Sequence, residues 1–139
     1  FLGAYSCFIN LFSEDLEKIT LVYEWCAAGI VSQKKVFPPL PAPVFPYYIS
    51  ILKQLKNIYL TDIKDLPKQA KLEKKWAHKL KVKSLIYVPI VYGWTLLGTF
   101  GIYSKKLQKG WSEETTMYLR LIGEVFAKVL LRNDPKSAL

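Results

Sequence analysis

Between Ser84 and Ser104 the chain reads SLIYVPIVYGWTLLGTFGIYS, twenty-one residues without a charge. Valine, isoleucine, tyrosine and threonine crowd it, the residue types that suit a pleated surface. Tyr92-Gly93 sits near its middle, where a tight turn can reverse the chain. The reading is a β-hairpin, Leu85 to Val91 and Trp94 to Tyr103. Tyr-Gly is a poorer primed-turn dipeptide than Asn-Gly, because Tyr92 resists positive φ. A two-residue turn there sets Val88 opposite Leu97 and Leu85 opposite Phe100. One side then carries Leu85, Tyr87, Pro89, Leu96 and Phe100; the other carries Ile86, Val88, Ile90, Leu97 and Tyr103. Neither side is polar, whereas a strand pair wetted on one face alternates apolar with polar. The stretch therefore predicts a sheet covered on both faces. Pro89 cannot donate to a ladder, which predicts a bulge or an unpaired edge. Gly98 and Gly101 leave room for close approach: of a helix or strand in the plainer reading, of a ligand in the sharper one.

Composition narrows the classes. The chain has 139 residues, enough for one domain with its own core. At 51% hydrophobic and 14% aromatic it is not a disordered segment. No apolar run reaches the ~20 residues of a membrane helix, and no signal-peptide pattern opens it. Phe1 in place of Met predicts a piece of a longer protein. Cys7 and Cys26 both fall in strand-like contexts, and two thiols make neither a disulfide framework nor a zinc site. That usage predicts a reducing, cytoplasmic compartment. Formal net charge is +9, and eight lysines fall between Lys64 and Lys83. Nucleic acid is the first partner such a balance suggests. The stretch lacks arginine, however, and the aromatics are committed to core faces. A solvated lysine face is the plainer reading; an anionic small ligand or partner stands between the two.

In chain order, Tyr5 to Phe12 and Ile19 to Cys26 read as strands joined by a turn at Ser13-Glu14-Asp15, a second antiparallel hairpin. Ala27 to Pro43 is irregular and ends dense in proline, which predicts a surface loop and not a strand. Val44 to Lys56 predicts an amphipathic helix with Pro46 in its first turn and Phe45, Tyr48, Ile49, Leu52 and Leu55 on one face. Ile58 to Leu60 is a short strand. Pro67 opens a helix reaching Leu80, with Leu72, Trp76 and Leu80 along one side and Lys71, Lys75 and Lys79 beside them. A last helix starts at Trp111-Ser112-Glu113-Glu114, Ser112 being a good N-cap, and ends near Arg132 ahead of Asp134-Pro135. Tyr118, Ile122, Val125 and Val129 form one stripe on it, broadened by Leu119, Phe126 and Leu130; Glu124 and Lys128 pair on the far side. Strand pairs with segregated helices predict one α+β domain with a mainly antiparallel sheet.

A set of short motifs recurs in this order along the chain. Cys7-Phe8-Ile9-Asn10-Leu11-Phe12 and Tyr23-Glu24-Trp25 lie on the first two strands. Asp62-Ile63 with Leu66-Pro67, Ser84-Leu85 with Val88-Pro89-Ile90, Leu97-Gly98 with Gly101, and Trp111-Ser112-Glu113-Glu114 follow. Together they make the sequence similar to GAF domains, in the flavour found in bacterial multidomain signalling proteins. The resemblance implies an antiparallel sheet with the terminal helices on one face and loops and short helices on the other, enclosing a small-molecule pocket. It implies a sensory or dimerising module without catalysis of its own, attached to an output domain. The family's usual first helix is missing, since the chain starts at about the first strand.

The same resemblance sets what to test. Bilin attachment in the family's photoreceptors uses a cysteine beside a histidine; Cys7 precedes Phe8, Cys26 precedes Ala27, and the sole histidine, His78, follows Ala77, so bilin is not expected. The asparagine-lysine-phenylalanine-aspartate-glutamate signature of cyclic-nucleotide-binding members is absent, leaving cyclic GMP unsupported. His78 among lysines reads as a solvated residue before a haem ligand. A Cys/His nucleophile pair has no third group to orient its base. The family's methionine sulfoxide reductase uses several cysteines, which this chain lacks. Asp62 matches a position at the pocket rim, or caps the following turn. Trp25, Tyr48, Trp76 and Tyr87 can line a pocket or serve as core aromatics. Ser84 and Thr99 are the polar groups on the central strands best placed to meet a ligand. If the lysines near Lys83 reach the pocket mouth, its ligand is anionic. The Tyr118/Ile122/Val125/Val129 stripe is expected to be split between the sheet and a partner helix in a homodimer. The expected function is a sensor that binds a small molecule and shifts the packing of its terminal helices. A ligand-free scaffold, its pocket filled by its own side chains, is the rival; a void beside Tyr87 and Trp76 discriminates the two. A basic nucleic-acid-binding module is third.

Overall fold

In the computed structural model the uncharged stretch folds back on itself at the centre of one sheet. The structure describes residues 5–27, 30, 32–33, 42–106 and 113–132. Among these described residues there are six strands: β1 (Tyr5–Phe12), β2 (Lys18–Cys26), β3 (Ala42–Pro43), β4 (Ile58–Leu60), β5 (Ser84–Tyr92) and β6 (Thr95–Ser104). They lie in the order β3-β2-β1-β6-β5-β4, and every neighbouring pair is antiparallel. Helices among the described residues include α1 (Pro46–Leu52), α2 (Lys71–Lys79) and α3 (Glu113–Arg132), with a 3-10 turn at Ile63–Asp65. This is the α+β class that the hairpin patterning predicts.

Both faces of the central hairpin are covered. Ser84 to Ile90 and Gly98 to Ser104 are buried throughout. On one face Leu85, Tyr87 and Tyr103 pack with Phe8, Tyr48, Leu52 and Leu80, beneath α1 and α2. On the other, Ile86, Val88, Ile90, Phe100 and Ile102 pack with Ile9, Leu119 and Ala127, beneath α3. Each fully buried aliphatic side chain contributes roughly 1.5–3 kcal/mol of transfer free energy. Only the hairpin tip reaches water, where Trp94 is 90% exposed.

The turn sits one residue later than Tyr92-Gly93. Tyr92 pairs with Thr95, so Gly93 and Trp94 form the turn, and Gly93 takes φ +60 at its first position. Glycine adopts that angle at no steric cost, whereas Tyr92 does not. A shift in the register follows between Ile90 and Val91, beside Pro89. Val88 therefore faces Phe100 and Leu85 faces Tyr103, not Leu97 and Phe100. The consequence is a swap: Tyr103 joins the face of Tyr87, and Phe100 the face of Val88. An odd slip always exchanges faces, because side chains alternate with period two.

Gly98 and Gly101 make room for neighbours within the chain. A Cβ on Gly98 would stand 2.1 Å from the Asn10 carbonyl oxygen of β1, and one on Gly101 2.2 Å from Cζ of Phe8. The plainer of the two sequence readings holds at both positions.

Two predicted helices are shorter than their apolar spacing implies. α1 ends at Leu52 because Gln54 and Leu55 turn to hydrogen-bond three residues back, at 3.0 and 2.9 Å, and Leu55 enters the left-handed region at φ 59. α2 starts at Lys71, not Pro67, since the Ala70 N–H closes a separate turn onto the Pro67 carbonyl at 3.0 Å. Ala42–Pro43, expected to be loop, pairs with Lys18 and Ile19 at the sheet edge, where a missing proline donor costs nothing. Ser112 lies outside the described residues. No helix among the described residues is long and apolar enough to cross a membrane.

Candidate functional site

The face of the sheet under α1 holds four aromatic rings in mutual contact. Phe8 stands edge-on to Tyr87 at 5.6 Å between centroids and tilts against Tyr103 at 4.7 Å. Tyr48 of α1 closes edge-on over Tyr87 at 4.8 Å. Edge-to-face packing suits the ring quadrupoles and adds to the area each ring buries. The Tyr87 and Tyr103 hydroxyls hydrogen-bond each other inside this cluster. Burial pushes the phenols of Tyr48, Tyr87 and Tyr103 all above their ordinary range.

Beside Tyr48 and Tyr87 the described residues enclose a cavity of about 20 Å³, lined in part by Asn10, Thr99, Phe45 and Leu52. That is room for roughly one water molecule. Thr99 spends its hydroxyl on the Val88 carbonyl, at 3.0 Å.

Helix α1 is held over the cavity by a residue from elsewhere. Pro46 occupies its first position, and no acidic residue lies in its first turn. Glu73 of α2, only 2% exposed, accepts the backbone N–H groups of Tyr47 at 2.7 Å and Tyr48 at 3.3 Å. The carboxylate supplies the N-terminal cap that Phe45 cannot, and sits at the positive end of the helix.

Of the seven candidate pocket residues, Tyr48, Tyr87 and Thr99 meet here. Trp25 pairs with Cys7 and so projects from the opposite face, toward the side of α3, where it is 44% exposed. Trp76 is half-buried on α2 with the Lys75 and Lys79 ammonium groups over its ring, at 5.9 and 4.6 Å. Asp62 caps the 3-10 turn by accepting the Lys64 N–H at 3.0 Å, the turn-capping alternative. Ser84 donates to the Thr61 carbonyl at 2.6 Å. Sequence reasoning missed Tyr103, Phe8, Asn10 and Glu73. Carrying the bulge that Pro89 predicts through the register would have put Tyr103 on its true face; nothing local to Glu73 points to α1.

The thiols lie apart from this cavity's lining. Cys7 packs against the core under α3, and burial raises both Cys7 and Cys26 above the ordinary thiol value, which disfavours the reactive thiolate. His78 is exposed on α2. No group of three or more His, Cys, Asp or Glu residues among those described could hold a metal ion.

The terminal helix divides its surface. Leu119, Gly123, Phe126 and Ala127 turn to the sheet, with Phe126 stacked on Phe100 at 6.4 Å. Tyr118, Ile122, Val125 and Val129 are all exposed, Val125 at 61%, together with Met117 and Leu121. The stripe is therefore not shared with the sheet as expected. Gly123 sits over Pro89 and Ile90, and this row, not the stripe, is the inner face.

No protein-family model matches the sequence, and no curated protein matches it. Solved structures do match in fold. The blue-light-absorbing form of the PixJ GAF domain from Thermosynechococcus elongatus is 20% identical, covers 94% of this chain and 76% of its own, and has a TM-score of 0.74. The photoproduct state of GAF3 from Slr1393 of Synechocystis sp. PCC6803 is 14% identical, with 93% and 83% covered and a TM-score of 0.75. A domain assigned to a two-component sensor histidine kinase protein of Sinorhizobium meliloti 1021 is 15% identical, with 96% and 82% covered and a TM-score of 0.67. At these identities the likeness is one of fold. The chain has the fold of a GAF domain, and its neighbours are sensory modules.

Proposed function

We propose that this chain is a single, non-catalytic regulatory domain. Two copies pair through α3, and the arrangement of the paired helices is passed to a covalently attached output domain. The observation that carries this reading is the spacing of the exposed stripe. Positions 118, 122, 125 and 129 follow steps of four, three and four, the a/d pattern by which two helices form a common seam. A face so apolar and so exposed on a helix already anchored to its sheet asks for cover. A second copy offers the same spacing in return.

The small cavity supports the scaffold reading over a receptor for a ligand above the sheet. Among the described residues, the cavity that Tyr48 and Tyr87 help to line holds only about 20 Å³. The same test bears on a bilin, which the light-absorbing neighbours raise. Among the described residues neither thiol lines that cavity, the only histidine is exposed on α2, and the space admits no tetrapyrrole. The described residues do not fit that chromophore.

Light scattering on the purified chain tests the pairing. The expected result is twice the chain mass, falling to a monomer in Ile122→Glu and Val125→Glu with the melting temperature unchanged. A monomeric wild type at high micromolar concentration, or variants that stay dimeric, would overturn it.

A further inference from the structure

The lysine-rich stretch does more than coat a surface. We propose that it builds a binding site for a small organic anion, one carrying two or more negative charges on an apolar body. The site is a groove of about 660 Å³ between the outer side of α2, the 3-10 turn and the approach to β5. It is separate from the cavity under α1, and the inference stands apart from the pairing of α3.

Its charge comes from three elements that converge. Lys74 and His78 stand one turn apart on α2, and Lys81 follows at the helix end. Lys64 comes from the 3-10 turn and Lys83 from the segment entering β5. Backbone bonds fix their positions. Lys81 takes φ 59 and its N–H returns to the His78 carbonyl at 3.1 Å; the Ile63 N–H binds the Lys83 carbonyl at 2.8 Å. The Asp62 cap holds Lys64 in place from the other side. The acids within residues 62–83 are Asp62, Asp65 and Glu73; Asp62 is engaged by the Lys64 N–H, and Glu73 is turned inward to cap α1. Lys75 and Lys79 sit over Trp76 instead, so the convergence is selective.

The floor decides the ligand's other half. Ile63, Ala77 and Val82 line it, apolar groups that suit an aliphatic or flat body. The volume lies within the range of small-molecule sites. Among the described residues lining the groove, none is an arginine and none is a Phe, Tyr or Trp on which a base could stack, which separates it from single-strand nucleic-acid grooves.

Calorimetric titration of the 139-residue chain with octyl phosphate, inorganic phosphate and the neutral octyl glucoside, all below micelle formation, tests both halves. Octyl phosphate should bind more tightly than either of the others, and added salt should weaken it. Lys64→Gln and Lys83→Gln, both exposed positions, should each weaken it by about fivefold, the factor set by about 1 kcal/mol per near-contact charge in water. The Lys53→Gln/Lys56→Gln variant, with charges removed at the end of α1, should bind as the wild type does. Equal binding of octyl phosphate and octyl glucoside, equal loss in the control variant, or failure of every probe to bind would overturn the proposal. So would retention of duplex DNA, lost in the Lys64→Gln and Lys83→Gln variants, without binding of any small anion.

Discussion

The carboxylate of Glu73 accepts the backbone N–H of Tyr47 at 2.7 Å, joining α2 to the first turn of α1 across 26 residues of sequence. The bond is charge-assisted and buried at its acceptor, so removing it leaves two helix donors without their partner. Glu73→Ala should lower the unfolding free energy by about 2 kcal/mol, and Glu73→Gln by about half that. Urea denaturation reads both. A loss under about 0.5 kcal/mol for the alanine variant would mean that α1 is held by packing alone.

The Tyr87–Tyr103 hydroxyl pair predicts a non-additive result. Either Tyr87→Phe or Tyr103→Phe strands one buried hydroxyl, at a cost of about 1–3 kcal/mol. Replacing both removes the stranded group, so the double variant should cost less than the two singles together. Additive losses would show that the two hydroxyls do not depend on each other.

Alkaline pH should act through the same cluster. Tyr48, Tyr87 and Tyr103 keep their protons in the folded state beyond the ordinary phenol range, chiefly because they are buried. The unfolded phenol titrates at about 10, so their stabilising share is complete below that pH and declines above it. Each should contribute a fall of about 1.4 kcal/mol per pH unit. The difference between wild type and Tyr48→Phe isolates one tyrosine from the titrating lysines. Parallel stability curves for the two proteins between about pH 9 and 11 would contradict this.

Two glycines in one hairpin should respond differently to alanine. At Gly98 the new Cβ would meet the Asn10 carbonyl oxygen at 2.1 Å, backbone that cannot swing aside. Gly98→Ala should cost about 3 kcal/mol or more and force β1 from β6. At Gly93 nothing lies within 4 Å, and only the φ of +60 resists, so Gly93→Ala should cost about 1 kcal/mol. Thermal melts of the two variants compare them directly; equal losses would contradict the strand-contact account of Gly98.

Much of the fold was legible because its signals are local. β1, β4 and most of β2 fall where alternation and turn residues put them, and Asp62 caps the turn it precedes. The candidate site was less legible. Trp25 and Tyr48 are equally aromatic in the sequence, yet pairing with Cys7 sends Trp25 to the other face. Tyr103 changed faces through the register shift at Ile90/Val91. The stripe on α3 was visible as a period, but the row that lies inward, Leu119, Gly123, Phe126 and Ala127, was set by packing on the sheet.

The order of residues alone dictates a charge-free ribbon sheltered on both sides, since its few polar residues do not alternate so as to wet either face. It also determined where helices start and stop to within a few residues, because caps, prolines and apolar spacing act over one or two turns. Folding in three dimensions is what brings four aromatic rings together on one face of the sheet, sets Glu73 to cap a distant helix, and gathers lysines from three elements at one groove. Each depends on groups far apart in the chain meeting within a few ångströms, and hydrogen bonds and packing contacts of that range leave no periodic trace in the order of residues.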